Sequence, residues 1–190
     1  IGLAGADAKI DPQALARALA EADDSHKQSP AALSLTNATE YGAVYSVAEV
    51  AQLVEMAKAR GLPAHLDGAR LANAAAAGFD LKSLKGLDLD IAVIGGTKAG
   101  LPLSEAVVLF DPSLSRRFDA RLKQAGQLPS KGRFLSAPWI GMLESGAWLE
   151  GARRANAMAQ KLKALMPFEL THPVQANAIF VRMDAAALQR

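Results

Sequence analysis

Three charged side chains stand where this sequence could do chemistry: Asp67, Arg70 and Lys98. Lys98 closes Gly95-Gly96-Thr97-Lys98, which follows the apolar run Ile91-Ala92-Val93-Ile94. A short apolar run of this kind reads as a buried strand. The two glycines let the backbone turn sharply and come close to another group. Lys98 is therefore expected at the carboxyl end of a buried strand, where open α/β sheets place ligands. A lysine in dry surroundings has a lowered pKa and can act as a nucleophile toward a carbonyl, forming a Schiff base. Asp67 ends a second short run, Ala64-His65-Leu66, and Arg70 follows three residues later. Neighbouring strand ends lie side by side in a doubly wound sheet, so these groups can converge on one crevice.

An amine, a carboxylate and a guanidinium together match the needs of pyridoxal phosphate and an amino-acid substrate. The lysine binds the cofactor, and an acid beside the pyridine nitrogen keeps the ring an electron sink. The planar fork of an arginine binds a carboxylate bidentately. On spacing alone the same residues also read as ordinary charges. Asp67-Gly68 can be a plain turn, Arg70 can pair with Asp67 or a helix end, and Lys98 can be an exposed loop lysine. The lysine motif is not a P-loop: it lacks the first glycine at the required offset and the Ser or Thr after the lysine. That argues against a phosphate-binding NTPase.

The elements that must position these groups follow in chain order. Asp11 reads as an N-cap and Pro12 as the first residue of a helix that runs to about residue 23. Residues 24–30 form a polar linker in which His26 is a solvated loop residue. Residues 31–35 predict a strand. The polar loop Thr36-Asn37-Ala38-Thr39-Glu40 after it either faces a ligand or is ordinary turn chemistry. Ser46-Val47-Ala48-Glu49 is a capping box, followed by the stripe Val47, Val50, Leu53, Val54 and Ala57. Gly61 and Pro63 end that helix. Residues 64–66 predict the strand before Asp67, and 71–77 a helix of small residues stopped by Gly78. A linker with Leu81, Leu84 and Leu87 leads to the strand at 91–94, and 105–110 is a further strand.

Asp111-Pro112 opens a helix holding Leu114, Phe118 and Leu122, and 126–132 is a loop. Residues 133–165 predict one long helix, bent at Pro138 or broken near Gly151. Residues 168–171 and 178–181 predict the first hairpin of a smaller domain, and 184–188 the beginning of a helix. Helices alternating with apolar strands predict an α/β fold, its sheet parallel or mostly parallel with helices on its faces.

Composition narrows the function. The chain has 190 residues, 51% hydrophobic and 21% charged, which suits a globular chain with a sizeable core. The net charge is +2 without any run of Lys or Arg, so neither nucleic acid nor an anionic membrane is an expected partner. There is no cysteine, which excludes disulfides, zinc thiolates and cysteine nucleophiles. His26, His65 and His172 are scattered and make no metal-ligand spacing. No apolar run reaches transmembrane length.

The motifs carry a family resemblance. His65-Leu66-Asp67-Gly68-Ala69-Arg70-Leu71-Ala72-Asn73-Ala74 resembles the aspartate strand of the threonine aldolase family. Gly95-Gly96-Thr97-Lys98-Ala99-Gly100 resembles the lysine loop of one branch of it, and Ser34-Leu35-Thr36-Asn37-Ala38-Thr39 the strand before. Ser130-Lys131-Gly132-Arg133-Phe134-Leu135-Ser136-Ala137 is similar to the start of its long interdomain helix. Asn177-Ala178-Ile179-Phe180-Val181 is similar to the first strands of its small domain. The family belongs to the beta-eliminating lyase/threonine aldolase group of fold type I, aspartate-aminotransferase-like enzymes.

The resemblance implies a pyridoxal phosphate-dependent lyase that cleaves a β-hydroxy-α-amino acid to glycine and an aldehyde; the alternatives are β-elimination, transamination, or an inactive truncated chain that keeps the fold. Lys98 would hold the cofactor and Asp67 pair with its pyridine nitrogen. Arg70 would bind the substrate carboxylate and reach the ring hydroxyl, and Thr97 would touch the cofactor. Arg133, with Lys131 as its rival, would reach the cofactor phosphate of a neighbouring subunit. Residues 1–150 would be part of the cofactor-binding large domain, and 151–190 the rest of the long helix and the start of the small domain. A cytoplasmic homodimer or homotetramer is expected, with a small amino-acid substrate, no nucleic acid, no membrane and no metal. Many family members carry a histidine where this chain has Thr39, so the base is expected to be Glu40, a water or a residue outside the chain. The phosphate cup and a second carboxylate-binding arginine are expected outside it too. The chain is thus expected to be the middle of an enzyme, with little activity alone.

Overall fold

The structure, a computed structural model, describes residues 1–22 and 24–185. Four strands form one sheet in the order β1 (Leu33–Thr36), β2 (Ala64–Gly68), β3 (Ile91–Ile94) and β4 (Ala106–Leu109). The first three run parallel, and β4 returns antiparallel to β3 with Ile94 opposite Ala106. The sheet is therefore mostly parallel, with flanking helices, as the alternation of elements predicts. It is the α/β architecture of fold type I enzymes.

The helices begin where their local chemistry says. In α1 (Pro12–Ala20) the Asp11 carboxylate accepts the Gln13 N–H at 2.9 Å. In α2 (Val47–Lys58) Ser46 Oγ accepts the Glu49 N–H at 3.1 Å, and Glu49 Oε2 accepts the Ser46 N–H at 2.6 Å. The predicted stripe is the buried face: Val50, Leu53, Val54 and Ala57 join Leu33, Leu35, Leu66 and Ala92 of the strands in one core. Short α3 (Leu71–Ala76) packs on α6 (Ala147–Leu165). There Asn73 and Asn156 exchange two hydrogen bonds of 3.0 Å each.

Two predicted helices are broken in the structure. The segment after Asp111 forms a turn of 3-10 helix, Pro112–Ser115, and then α4 (Phe118–Gln124), because Arg117 takes a left-handed conformation between them (φ 64). The long helix predicted over 133–165 is two, α5 (Arg133–Glu144) and α6, and the break lies at Gly146 rather than Gly151. Gly146 has φ 75, a conformation open to glycine at little cost, and it ends α5. Pro138 stays inside α5, while Gly151 continues α6.

The late hairpin is short. Strands β5 (Glu169–Leu170) and β6 (Val181–Arg182) pair antiparallel. The loop between them folds back on the first part of the chain. The His172 ring nitrogen Nδ1 lies 2.8 Å from Asp7 Oδ1. The His172 ring stacks on Tyr41 at 4.2 Å. The Ala176 N–H donates to the Gly42 carbonyl at 3.1 Å. Residues 186–188 of the helix predicted at the end lie outside the described residues.

Asp90 pins α2 to the sheet. Its two oxygens lie 2.8 Å and 2.7 Å from Lys58 Nζ, and Oδ2 also accepts the Ala64 N–H at 2.6 Å. The hydrogen bond to Asp90 holds the Lys58 amine above its ordinary pKa, against the opposing effect of desolvation. A raised folded value means that the pair's contribution is complete below the ordinary lysine range and is lost as pH climbs through the folded value. We expect Asp90→Ala to lower stability by about 2 kcal/mol, since it strands an ammonium and an N–H. Urea unfolding checks this: the deficit should hold from neutral pH up to the ordinary lysine range and shrink only above it.

Candidate functional site

The site forms where β1, β2 and β3 end together. Parallel pairing sets Thr36 beside Asp67 and Asp67 beside Val93. Beyond the paired residues, the Asn37 N–H donates to the Asp67 carbonyl at 3.0 Å and the Gly95 N–H to the Gly68 carbonyl at 2.9 Å. Asn37 is fully buried, and its Oδ1 accepts the Tyr45 N–H at 3.1 Å, which ties down the loop after β1.

Asp67 is half-buried, and its Oδ1 accepts the Ala69 N–H at 2.9 Å. That bond fixes the carboxylate in the turn leading to α3. Arg70 caps the start of α3, with its Nη1 3.8 Å from Glu40 Oε1. Glu40 is an exposed carboxylate with 72% of its side chain accessible. Thr39 beside it is buried; its hydroxyl donates to the Asp7 carbonyl at 2.8 Å and accepts the Ala43 N–H at 3.1 Å. Thr39 thus holds the loop together, and Glu40 is the neighbour with a free carboxylate edge.

The lysine turn follows β3 as a single turn of 3-10 helix, Thr97–Ala99. Side chains do not fit at its base. A Cβ on Gly95 would lie 2.1 Å from the Ala69 carbonyl oxygen, and one on Gly96 2.4 Å from that of Ser104. Trp148, buried on α6, donates its Nε1–H to the Gly95 carbonyl at 3.1 Å. Lys98 itself is exposed, and its ammonium makes no ion pair among the described residues. Thr97 and Lys98 are both exposed, so the dry surroundings expected for the lysine are not formed among the described residues.

The structure thus brings Asp67, Arg70 and the lysine turn to adjacent strand ends. Arg133 is placed differently. It opens α5, is exposed, and lies 5.1 Å from the ring of its neighbour Phe134. Lys131, not Arg133, lines a groove of about 890 Å³ together with Thr97, Leu103, Glu105 and Phe134. Glu105 went unremarked in the sequence. The expected parallel sheet hid it, since only an antiparallel β4 carries this residue back to the lysine turn. The contact of His172 with Asp7 has no local signal either, because the two lie 165 residues apart. Among the described residues no helix is long and apolar enough to cross a membrane, and no group of three or more His, Asp or Glu could hold a metal ion.

Comparison with known proteins gives the family of the chain. The family model described as "Beta-eliminating lyase" matches residues 2–186. The chain is 41% identical over 189 residues to a low specificity L-threonine aldolase of Pseudomonas sp. (strain NCIMB 10558). It is 38% identical to one of Pseudomonas aeruginosa. Each match covers 95% of this chain and 54% of the relative, so the chain spans about half the length of the curated relatives it matches. The solved Leishmania major threonine aldolase superposes with a TM-score of 0.88 at 29% identity, over 96% of this chain and 55% of that one. Mouse CSAD, at 19% identity over 93% of this chain and 41% of its own, shares the fold with a TM-score of 0.64.

The tight base of the lysine turn makes a direct prediction. Gly96→Ala should cost about 1 to 3 kcal/mol, because the added methyl displaces the Ser104 backbone or the Trp139 ring. Gly151→Ala, whose Cβ meets open space in α6, should be neutral or slightly stabilising. Urea midpoints of the two variants decide whether the turn is as closely packed as described.

Proposed function

The chain belongs to the beta-eliminating lyase family, and on that premise we propose that the whole protein is a pyridoxal phosphate-dependent lyase. It cleaves the Cα–Cβ bond of a β-hydroxy-α-amino acid, threonine or allo-threonine, giving glycine and an aldehyde. The observation that carries this reading is the meeting of Asp67, Arg70 and the Lys98 turn at neighbouring strand ends, in a chain 41% identical to a low specificity L-threonine aldolase. The donor set suits the cofactor. It offers a primary amine without an ion partner, a half-buried carboxylate fixed through one oxygen only, and a guanidinium beside them.

Pyridoxal phosphate, when bound, supplies a sink for the electron pair released from Cα. Lys98 would hold the cofactor through its primary amine. Asp67 would keep the ring nitrogen protonated, its carboxylate fixed through one oxygen by the Ala69 N–H. Arg70 binds the substrate carboxylate with its planar fork and is oriented by its position at the start of α3. Thr97 would adjoin the cofactor, and Lys131 or Arg133 would reach its phosphate in a neighbouring subunit. The β-hydroxyl proton passes to a base. Glu40 is the chain's own candidate, because it is exposed and stands within ion-pair distance of Arg70. Thr39 is not, because its hydroxyl is already engaged on both sides.

The active protein is a cytoplasmic homodimer or homotetramer in this proposal. Residues 1–150 belong to the cofactor-binding body, and 151–190 finish α6 and begin the small domain. Phe134, Ile140 and Leu143 of α5 support an assembly, since they expose large apolar surface on one helix.

The full-length protein should show a visible absorption band with added pyridoxal phosphate and release glycine and acetaldehyde from threonine. Lys98→Ala should abolish both. Asp67→Ala should keep cofactor capture but lower turnover by about two to four orders of magnitude, the usual worth of a placed proton. A band that survives Lys98→Ala, or pyruvate and ammonia as the products from a β-substituted amino acid in place of aldol cleavage, would refute the assignment.

A further inference from the structure

The geometry points to Glu105 as the positioning residue of the lysine turn, a role that rests on Lys98 being the cofactor lysine. The β3–β4 register carries it there. Ile94 faces Ala106, so continuing the same ladder sets Gly95 opposite Glu105 and Gly96 opposite Ser104. One Glu105 oxygen accepts the Gly96 N–H at 2.6 Å, and the other accepts the Thr97 N–H at 3.3 Å. The Thr97 hydroxyl donates to that second oxygen as well. A single carboxylate thus receives every hydrogen-bond donor of two consecutive residues, the two that precede Lys98.

The other side of the turn is held separately. Trp148 binds the Gly95 carbonyl, and Trp139 donates its Nε1–H to Ser104 Oγ at 3.1 Å while its ring closes over Gly96. The turn then completes itself through the Ala99 N–H and the Leu101 N–H, both of which donate to the Gly96 carbonyl at 3.0 Å. Lys98 is exposed and has no ion partner among the described residues, so no contact of its own side chain aims it. Its direction comes from the backbone, and the backbone is held by Glu105. An aspartate, one methylene shorter, would not span both N–H groups. A glutamine keeps an acceptor oxygen but loses the charge and half of the acceptor capacity.

The test uses full-length protein with pyridoxal phosphate. Wild type, Glu105→Gln and Glu105→Ala are compared by amide hydrogen exchange over residues 96–98, by the rate at which borohydride fixes the cofactor on Lys98, and by kcat and KM for threonine. Exchange at Gly96 and Thr97 should be faster by about fivefold or more in Glu105→Ala, the scale of a lost helix cap. Capture on Lys98 should slow and kcat fall with KM little changed, and Glu105→Gln should recover part of each. Folded Glu105→Ala with wild-type exchange and capture overturns the proposal. If that variant does not fold, Glu105→Gln decides alone: intermediate values support the role and wild-type values overturn it. Cofactor fixed elsewhere than on Lys98 in the wild type would instead sink the cofactor assignment, while the exchange data still report on the Glu105 contacts.

Discussion

Gly95 donates its N–H to the Gly68 carbonyl at 2.9 Å, one step past the last paired residues of β2 and β3. That bond brings the turn after Asp67 and the turn before Lys98 into backbone contact. It requires that neither glycine carry a side chain, since a Cβ on Gly68 would lie 2.4 Å from the Val93 carbonyl and one on Gly95 2.1 Å from that of Ala69. The relative placement of acid and amine is thus a property of two backbones and does not depend on how either side chain packs.

What holds that backbone contact is the core behind it. Leu66, Ala92, Leu71 and Trp148 are all buried, and a buried side chain of leucine size is worth about 1.5 to 3 kcal/mol. The charges at the site contribute far less. The Arg70–Glu40 pair is 3.8 Å apart with its glutamate in solvent, and such pairs contribute about 0 to 1 kcal/mol. The charged groups are therefore carried by the fold and do little to create it.

Local signals were read well because their causes are local. The Asp11 cap, the Ser46–Glu49 box and the strand at Ile91–Ile94 each depend on residues within one turn or one short run. Apolar spacing continues across Arg117 and Gly146, so it conceals the first break and does not locate the second, expected near Gly151; one left-handed residue overrides it at each. The Asp7–His172 contact and the stacking of His172 on Tyr41 have no local trace at all. They exist because the late hairpin folds back onto the loop after β1.

Residue type and spacing put Asp67, Arg70 and Lys98 at the ends of short apolar runs, where open α/β sheets place ligands, but left them readable as ordinary charges. The sequence also carried the family resemblance through those motifs. Only the tertiary structure decided the direction of β4, and with it the return of Glu105 to the lysine turn. It alone set Lys98 in solvent and put Lys131, in place of Arg133, on the groove beside Thr97. Strand direction and solvent exposure are decided by pairing and packing between segments far apart in the chain, which local residue patterns do not encode.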